Sequence, residues 1–237
     1  MKRNLSTLLF SIGLMLSGNV FAADSTPHRV TQAEFNAAIA NQATINTALK
    51  NDIAKLQEAI EKLTVKKIGD HFGGGIIFYV DTTGQHGLIA SLSDHLSDQS
   101  EFIQWFNGIN KVTGATGDGV GAGATNTAII VAAQSNDTPG GNFAAKVAAD
   151  YSVQEDGLTA CTGSINEVCY GDWYLPSKHE LNLLYQQRGV VGGFTDSFYW
   201  SSTEGDAAHA WYQVFGDATQ GNGVKYNPLR VRAVRAF

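Results

Sequence analysis

Gly74-Gly75-Ile76-Ile77-Phe78-Tyr79-Val80-Asp81-Thr82-Thr83-Gly84-Gln85-His86-Gly87-Leu88-Ile89-Ala90 is the stretch that decides the fold. Ile76-Ile77-Phe78-Tyr79-Val80 reads as a strand, Asp81-Thr82-Thr83-Gly84 as a turn and Leu88-Ile89-Ala90 as a second strand, which makes a β-hairpin. Downstream, a glycine-studded loop spans 114–123, and alanine-rich helical stretches follow near 127–133 and 143–151. That loop lacks the G-K-[ST] sequence that cradles phosphate and is expected to be a flexible surface loop. Pro176 and then Ser177-Lys178-His179-Glu180 form a capping box that opens a helix through Leu181, Leu184 and Tyr185. The last third reads as short strands at 198–202, 209–215 and 229–236. A hairpin, then helices, then strands is the order of an α+β domain.

Upstream of the hairpin the composition changes. The chain has 26 glycines in 237 residues, yet none lies in 31–65. Thr31-Gln32-Ala33-Glu34 is a second capping box. Apolar residues then recur in steps of four and three, with Ile39, Ile53 and Ile60 at heptad position a and Phe35, Leu49, Leu56 and Leu63 at d. Gln42 and Asn46 fill the d and a slots between them. Such a narrow seam reads as an oligomerising coiled coil of about 50 Å, rather than a helix lying on its own domain. Ile at a, Leu at d and a seam Asn lean toward a parallel dimer, a vote weakened by the Gln42–Asn46 interruption. Before this helix, Lys2 and Arg3, the apolar stretch 8–16 and Val20-Phe21-Ala22 read as a secretory signal peptide over 1–22. Residues 23–66 are then linker and stalk, and 67–237 the head.

Sixteen Lys and Arg against 22 Asp and Glu give a net charge of -6. Loss of Lys2 and Arg3 with the signal leaves 14 against 22, or -8. That balance argues against nucleic acid as a partner, since phosphate binding needs a basic surplus. No segment is long and apolar enough to span a bilayer. Glycine without a G-X-Y period excludes a collagen triple helix. Export places the protein in a secreted, cell-surface or periplasmic setting, where Cys161 and Cys169 read as a structural disulfide. A redox or metal pair is the alternative, without C-x-x-C spacing or a second ligand pair behind it.

Several strings together resemble one bacterial family. They are Gly74-Gly75-Ile76-Ile77-Phe78-Tyr79-Val80-Asp81, Gly171-Asp172-Trp173-Tyr174-Leu175-Pro176-Ser177, Glu180-Leu181, Tyr199-Trp200-Ser201-Ser202-Thr203-Glu204, Ala210-Trp211 and Val231-Arg232-Ala233-Val234-Arg235. Over residues 68–237 the chain resembles the Lcl C-terminal domain, found on a collagen-like bacterial surface adhesin and on many exported proteins. The resemblance implies a C-type-lectin-like fold with long binding loops. The founding adhesin is trimeric and binds sulfated glycosaminoglycans, so the resemblance implies a trimer, preferred here over the dimer, and a glycan or cell-surface ligand. No collagen repeat precedes the domain in this chain; the coiled coil stands in its place.

Charge complicates a sulfated ligand. Residues 68–237 hold 8 basic residues against 17 acidic ones, a net of -9, which repels a polyanion unless the cations cluster. Four of the eight lie between Lys225 and Arg235. Lys225, Asn227, Arg230 and Arg232 are therefore the candidate ligand-binding residues, with Arg forks suited to sulfate or carboxylate. Arg232 and Arg235 belong to the family string, and the alternative for them is pairing with acidic neighbours that locks the last strand into its sheet. Trp173, Trp200 and Trp211 could stack on sugar rings but fit the core better, and Trp105 fits packing equally well. Calcium serves sugar-binding C-type lectins, yet their Glu-Pro-Asn loop and Trp-Asn-Asp strand are missing, so carboxylates such as Glu204, Asp206 and Asp217 are expected to be solvated and no metal is predicted. Enzyme signatures such as H-E-x-x-H and G-x-S-x-G are also missing. The reading is a non-catalytic, adhesin-like glycan binder. Its rivals are a protein-binding or surface-assembly module and, further off, a formylglycine-generating-type enzyme using Cys161 and Cys169.

Overall fold

A computed structural model describes residues 30–63, 66–95, 102–138 and 140–237. The signal peptide assigned to 1–22 and the linker up to 29 lie outside the described residues. The chain divides into two compact units, Met1–Ile60 and Glu61–Phe237.

The helix α1 (Gln32–Leu63), nearly all of it in the first unit, runs uninterrupted. Its capping box is formed: the Glu34 amide donates to Thr31 Oγ1 at 3.2 Å, and the Thr31 amide donates to the Glu34 carboxylate at 2.8 Å. Phe35, Ile39, Leu49, Ile53, Leu56 and Ile60 are all exposed along it. Gln42 and Asn46, the two polar seam residues, bond to each other within the helix at 3.0 Å.

The second unit contains β1 (His71–Phe72), β2 (Gly75–Val80), β3 (Gly87–Ala90), α2 (Ala122–Gln134), α3 (Ala144–Ala149), β4 (Val153–Gln154), β5 (Cys169–Tyr170), α4 (Lys178–Gln186), α5 (Arg188–Val191), β6 (Phe198–Glu204), β7 (His209–Val214), β8 (Gln220–Val224) and β9 (Val234–Ala236). Helices and antiparallel sheets are segregated along the chain, so the fold is α+β. One sheet has the order β1-β2-β3-β9, a second β6-β7-β8, and β4 pairs with β5. The hairpin forms, with Ile77 opposite Ile89 and Ile76 opposite Ala90. β9 closes its far edge, pairing Ile89 with Arg235, so the two ends of the unit meet in one sheet.

Alternation along this sheet builds a core on each face. Ile77 and Ile89 join Trp105, Ile130, Phe143, Trp173 and Trp200 on one side, under α2 and α3. Ile76, Phe78, Leu88 and Ala90 join Leu181, Leu184, Tyr199 and Phe215 on the other, under α4. A continuous apolar strand is what burial on both faces requires. The stretch read as a single strand at 229–236 is instead two pieces. Leu229, Arg230 and Val231 make isolated bridges to Ile103, Tyr199 and His95, and pairing with β3 resumes only at Val234. This segment thereby joins the sheets to the loops around them.

Candidate functional site

Lys225, immediately after β8, does not face solvent. Its side chain is 1% exposed, and Nζ donates to Glu204 Oε1 at 2.6 Å, to the Lys111 carbonyl at 3.0 Å and to the Ala207 carbonyl at 3.2 Å. Nζ also lies 4.4 Å from the centre of the buried Trp105 ring. Burial opposes ionisation of Glu204, but the ammonium and the amides of Thr113 and Gly114 outweigh it and hold the carboxyl below its ordinary value. An ammonium so enclosed cannot contact a sulfate in solvent. The assignment of Lys225 as a ligand contact is therefore corrected: it is an internal counter-ion.

Arg232 is corrected on the same ground. Its side chain is fully buried, with Nε donating to Asp94 Oδ1 at 2.8 Å and its amino groups donating to the carbonyls of Ser91, Gly192 and Gly193. Arg230 reaches the other oxygen of Asp94 at 3.1 Å, where the Tyr199 hydroxyl also donates at 2.9 Å. Asp94 thus gathers both arginines, while Lys225 belongs to a separate cluster. Asn227 is half-buried in the turn after β8, its amide donating to the Val224 carbonyl at 2.9 Å. Arg235 grips Asp172 through Nε at 2.6 Å and Nη2 at 3.1 Å. Lys111 pairs with Asp137, Lys146 with Asp150 and Lys178 with Asp118. Seven of the eight cations in 68–237 thus have a carboxylate within 4 Å among the described residues; Arg188 is the exception.

The loop ahead of α2 is pinned rather than flexible. The amides of Thr113 and Gly114 bind Glu204 at 2.9 Å. Gly117 exchanges two bonds with the Asn126 side chain, and its carbonyl also accepts from Thr203 Oγ1. Ser177 Oγ donates to the Gly119 carbonyl at 2.8 Å, and the Gly121 amide donates to Glu180 at 2.7 Å. Gly121 has φ 86°, a left-handed conformation suited to glycine, and at Gly123 Glu180 Oε2 fills the space a Cβ would need. Burial pushes the Glu180 carboxyl above its ordinary value, against the amides of Ser177 and Gly121 that favour the anion. The capping box of α4 therefore caps a helix and also anchors a loop about sixty residues away, a role invisible in its own sequence.

Beside this loop lies a groove of about 530 Å³. One wall is α2, through Ala124, Ala128 and Ala132; the other is the Gly171-Asp172-Trp173-Tyr174 segment. Trp105, Trp173 and Trp200 are core residues, whereas Trp211 is half-buried beneath the Lys178 ammonium, 4.4 Å from its ring centre.

Cys161 and Cys169 form a disulfide, with Cα atoms 5.8 Å apart. Glu167 lies with them in a potential three-ligand group. The two sulfurs are bonded to each other, however, and the Glu167 carboxylate accepts the amides of Thr162 at 2.8 Å and Gly163 at 2.7 Å. Asp206 and Asp217 each cap their own turns, accepting the amides of Ala208 and Thr219. Among the described residues, no helix is long and apolar enough to cross a membrane.

No family model and no curated protein matches this chain.

Proposed function

We propose that this chain is an exported, non-catalytic binding protein of the Lcl C-terminal type. Its helical stalk gathers C-type-lectin-like heads, as a trimer rather than a dimer, so that weak single-site contacts combine into avidity. The ligand class is a glycan on a cell or matrix surface. The observation that carries this reading is the open groove beside loops already fixed by internal hydrogen bonds. A preformed concave surface binds without the entropy loss of ordering its own loops. Internal pairing of the cations shifts the preferred glycan from sulfated chains to sparsely charged ones. A sulfated polymer would approach a surface whose residues 68–237 carry a net charge of -9 and seven of whose eight cations there are already paired.

A glycan array probed with the mature protein at low and high salt tests this. Salt-insensitive binding to uncharged glycans is expected. Salt-sensitive binding to sulfated chains in preference to uncharged ones would reinstate a cationic surface patch. Binding to no glycan at either salt would leave the protein-binding module as the function.

A further inference from the structure

Helix α2 has an unusual composition for a helix at the protein surface. Ala122–Gln134 contains no charged residue, although Ala124, Thr125, Ala128 and Ala132 are exposed. Surface helices normally turn charged and polar side chains to water, and of these four only Thr125 is polar. Ala124, Ala128 and Ala132 follow one another four residues apart, so their methyl groups line one face, and that face is a wall of the 530 Å³ groove. Small-ligand sites are about 300–1,000 Å³, apolar in most of their lining, with a few fixed polar groups.

The polar side-chain atoms around the groove are nearly all engaged. Trp173 Nε1 donates to the Tyr170 carbonyl at 3.0 Å, the Tyr174 hydroxyl donates to Glu180 at 3.2 Å, and Thr127 Oγ1 accepts the Leu175 amide at 3.0 Å. Asp172 differs. Its side chain is 61% exposed at the rim while Arg235 grips both oxygens from behind. A carboxylate held by an arginine fork keeps outward lone pairs that accept from hydroxyl or amide N–H groups.

We propose that this groove is a sugar-binding subsite for an N-acetylated hexosamine, a deepening that rests on the glycan-binding reading above. The acetamido methyl and the C–H face of the ring lie against the Ala124, Ala128 and Ala132 methyls. A hydroxyl or the acetamido N–H donates to Asp172. A plain hexose lacks the methyl that the alanine wall accommodates, and a sulfate would face Asp172, whose arginine is already taken.

Isothermal titration of the full chain with the β-1,4 trisaccharide of N-acetylglucosamine, and in parallel with that of glucose, isolates the acetamido group. The acetylated sugar is expected to bind about tenfold or more tightly than the other, the discrimination that small apolar groups supply, with little dependence on salt. Ala128→Trp fills the groove from an exposed helical position and should abolish binding with an unchanged thermal melt. Asp172→Asn should weaken binding about tenfold. Equal affinity for the two trisaccharides, or full affinity in Ala128→Trp, overturns the subsite while leaving array binding to other glycans intact. An array on which nothing binds removes the glycan reading and the subsite together.

Discussion

His95 ties the stability of the head to pH, with a sign that burial dictates. Its ring is buried 4.2 Å from the Tyr151 ring centre, and Nε2 lies 3.1 Å from Ser91 Oγ. Burial, reinforced by the positive charge of Arg232, holds its pKa down at about 3 against an ordinary 6.5. Between those values the unfolded chain carries a proton on His95 that the folded chain excludes. Stability therefore falls as pH falls, by about 1.4 kcal/mol per unit once below pH 6.5. From pH 7.5 to 5 the loss comes to about 2 kcal/mol. Glu180 acts with the opposite sign, because its raised pKa lets the folded state take up a proton first. Comparison with His95→Gln cancels it and every other shared group. Urea unfolding at pH 7.5, 6.5, 5.5 and 5.0 should show the two stability curves diverging by about 2 kcal/mol over that range, with the wild type losing more. Parallel curves would refute a neutral, desolvated His95.

Lys225→Met should destabilise the head by about 3–5 kcal/mol, because it strands the buried Glu204 carboxylate. Adding Glu204→Gln should restore a substantial part of that loss in chemical denaturation, and no recovery would deny that the pair is coupled. Joint Cys161→Ser and Cys169→Ser replacement opens a loop of sequence separation 8 and should lower stability by about 2–3 kcal/mol on the chain-entropy argument. A chain lacking residues 23–66 should sediment as a monomer; an oligomer of unchanged size would show that α1 does not hold the copies together.

Local patterns were legible where the physics is local. The hairpin at 76–90, the capping boxes at Thr31 and Ser177 and the strands at 198–202 and 209–215 all rest on neighbours within a few residues. β8 was not legible, since Gln220-Gly221-Asn222-Gly223-Val224 has the composition of a turn. It is a strand because it pairs along its length with β7 and because the Tyr212 ring occupies the space beside Gly221 and Gly223 that side chains would otherwise need. The loop at 114–123 reads as flexible from its glycines alone; what fixes it is Glu204, Asn126 and Glu180, from three other segments. Arg232 bonds an aspartate 138 residues away, a pairing that charge counting along the chain does not contain. The groove did leave one trace in the sequence, a thirteen-residue helix without a charge.

These long-range pairs change what the head's acidity means. Asp94 with Arg230 and Arg232, Glu204 with Lys225, Asp172 with Arg235 and Asp137 with Lys111 each join distant segments of a loop-rich fold. Lys225 and Arg232 are fully buried, and a polyanion could recruit either only by breaking its pair and exposing its surroundings. Separating a buried pair costs about 3–5 kcal/mol, more than a surface contact with a sulfate returns at physiological salt. Among the eight cations of 68–237, Arg188 alone has no carboxylate within 4 Å among the described residues, and it already donates to the Tyr185 carbonyl at 3.1 Å and lies over the Tyr185 ring. Arg230, Arg232 and Arg235 thus serve to hold the last segment of the chain in place. Carboxylates outnumber cations 17 to 8 over 68–237, so a ligand that donates hydrogen bonds and presents an apolar face suits this surface better than a sulfated one.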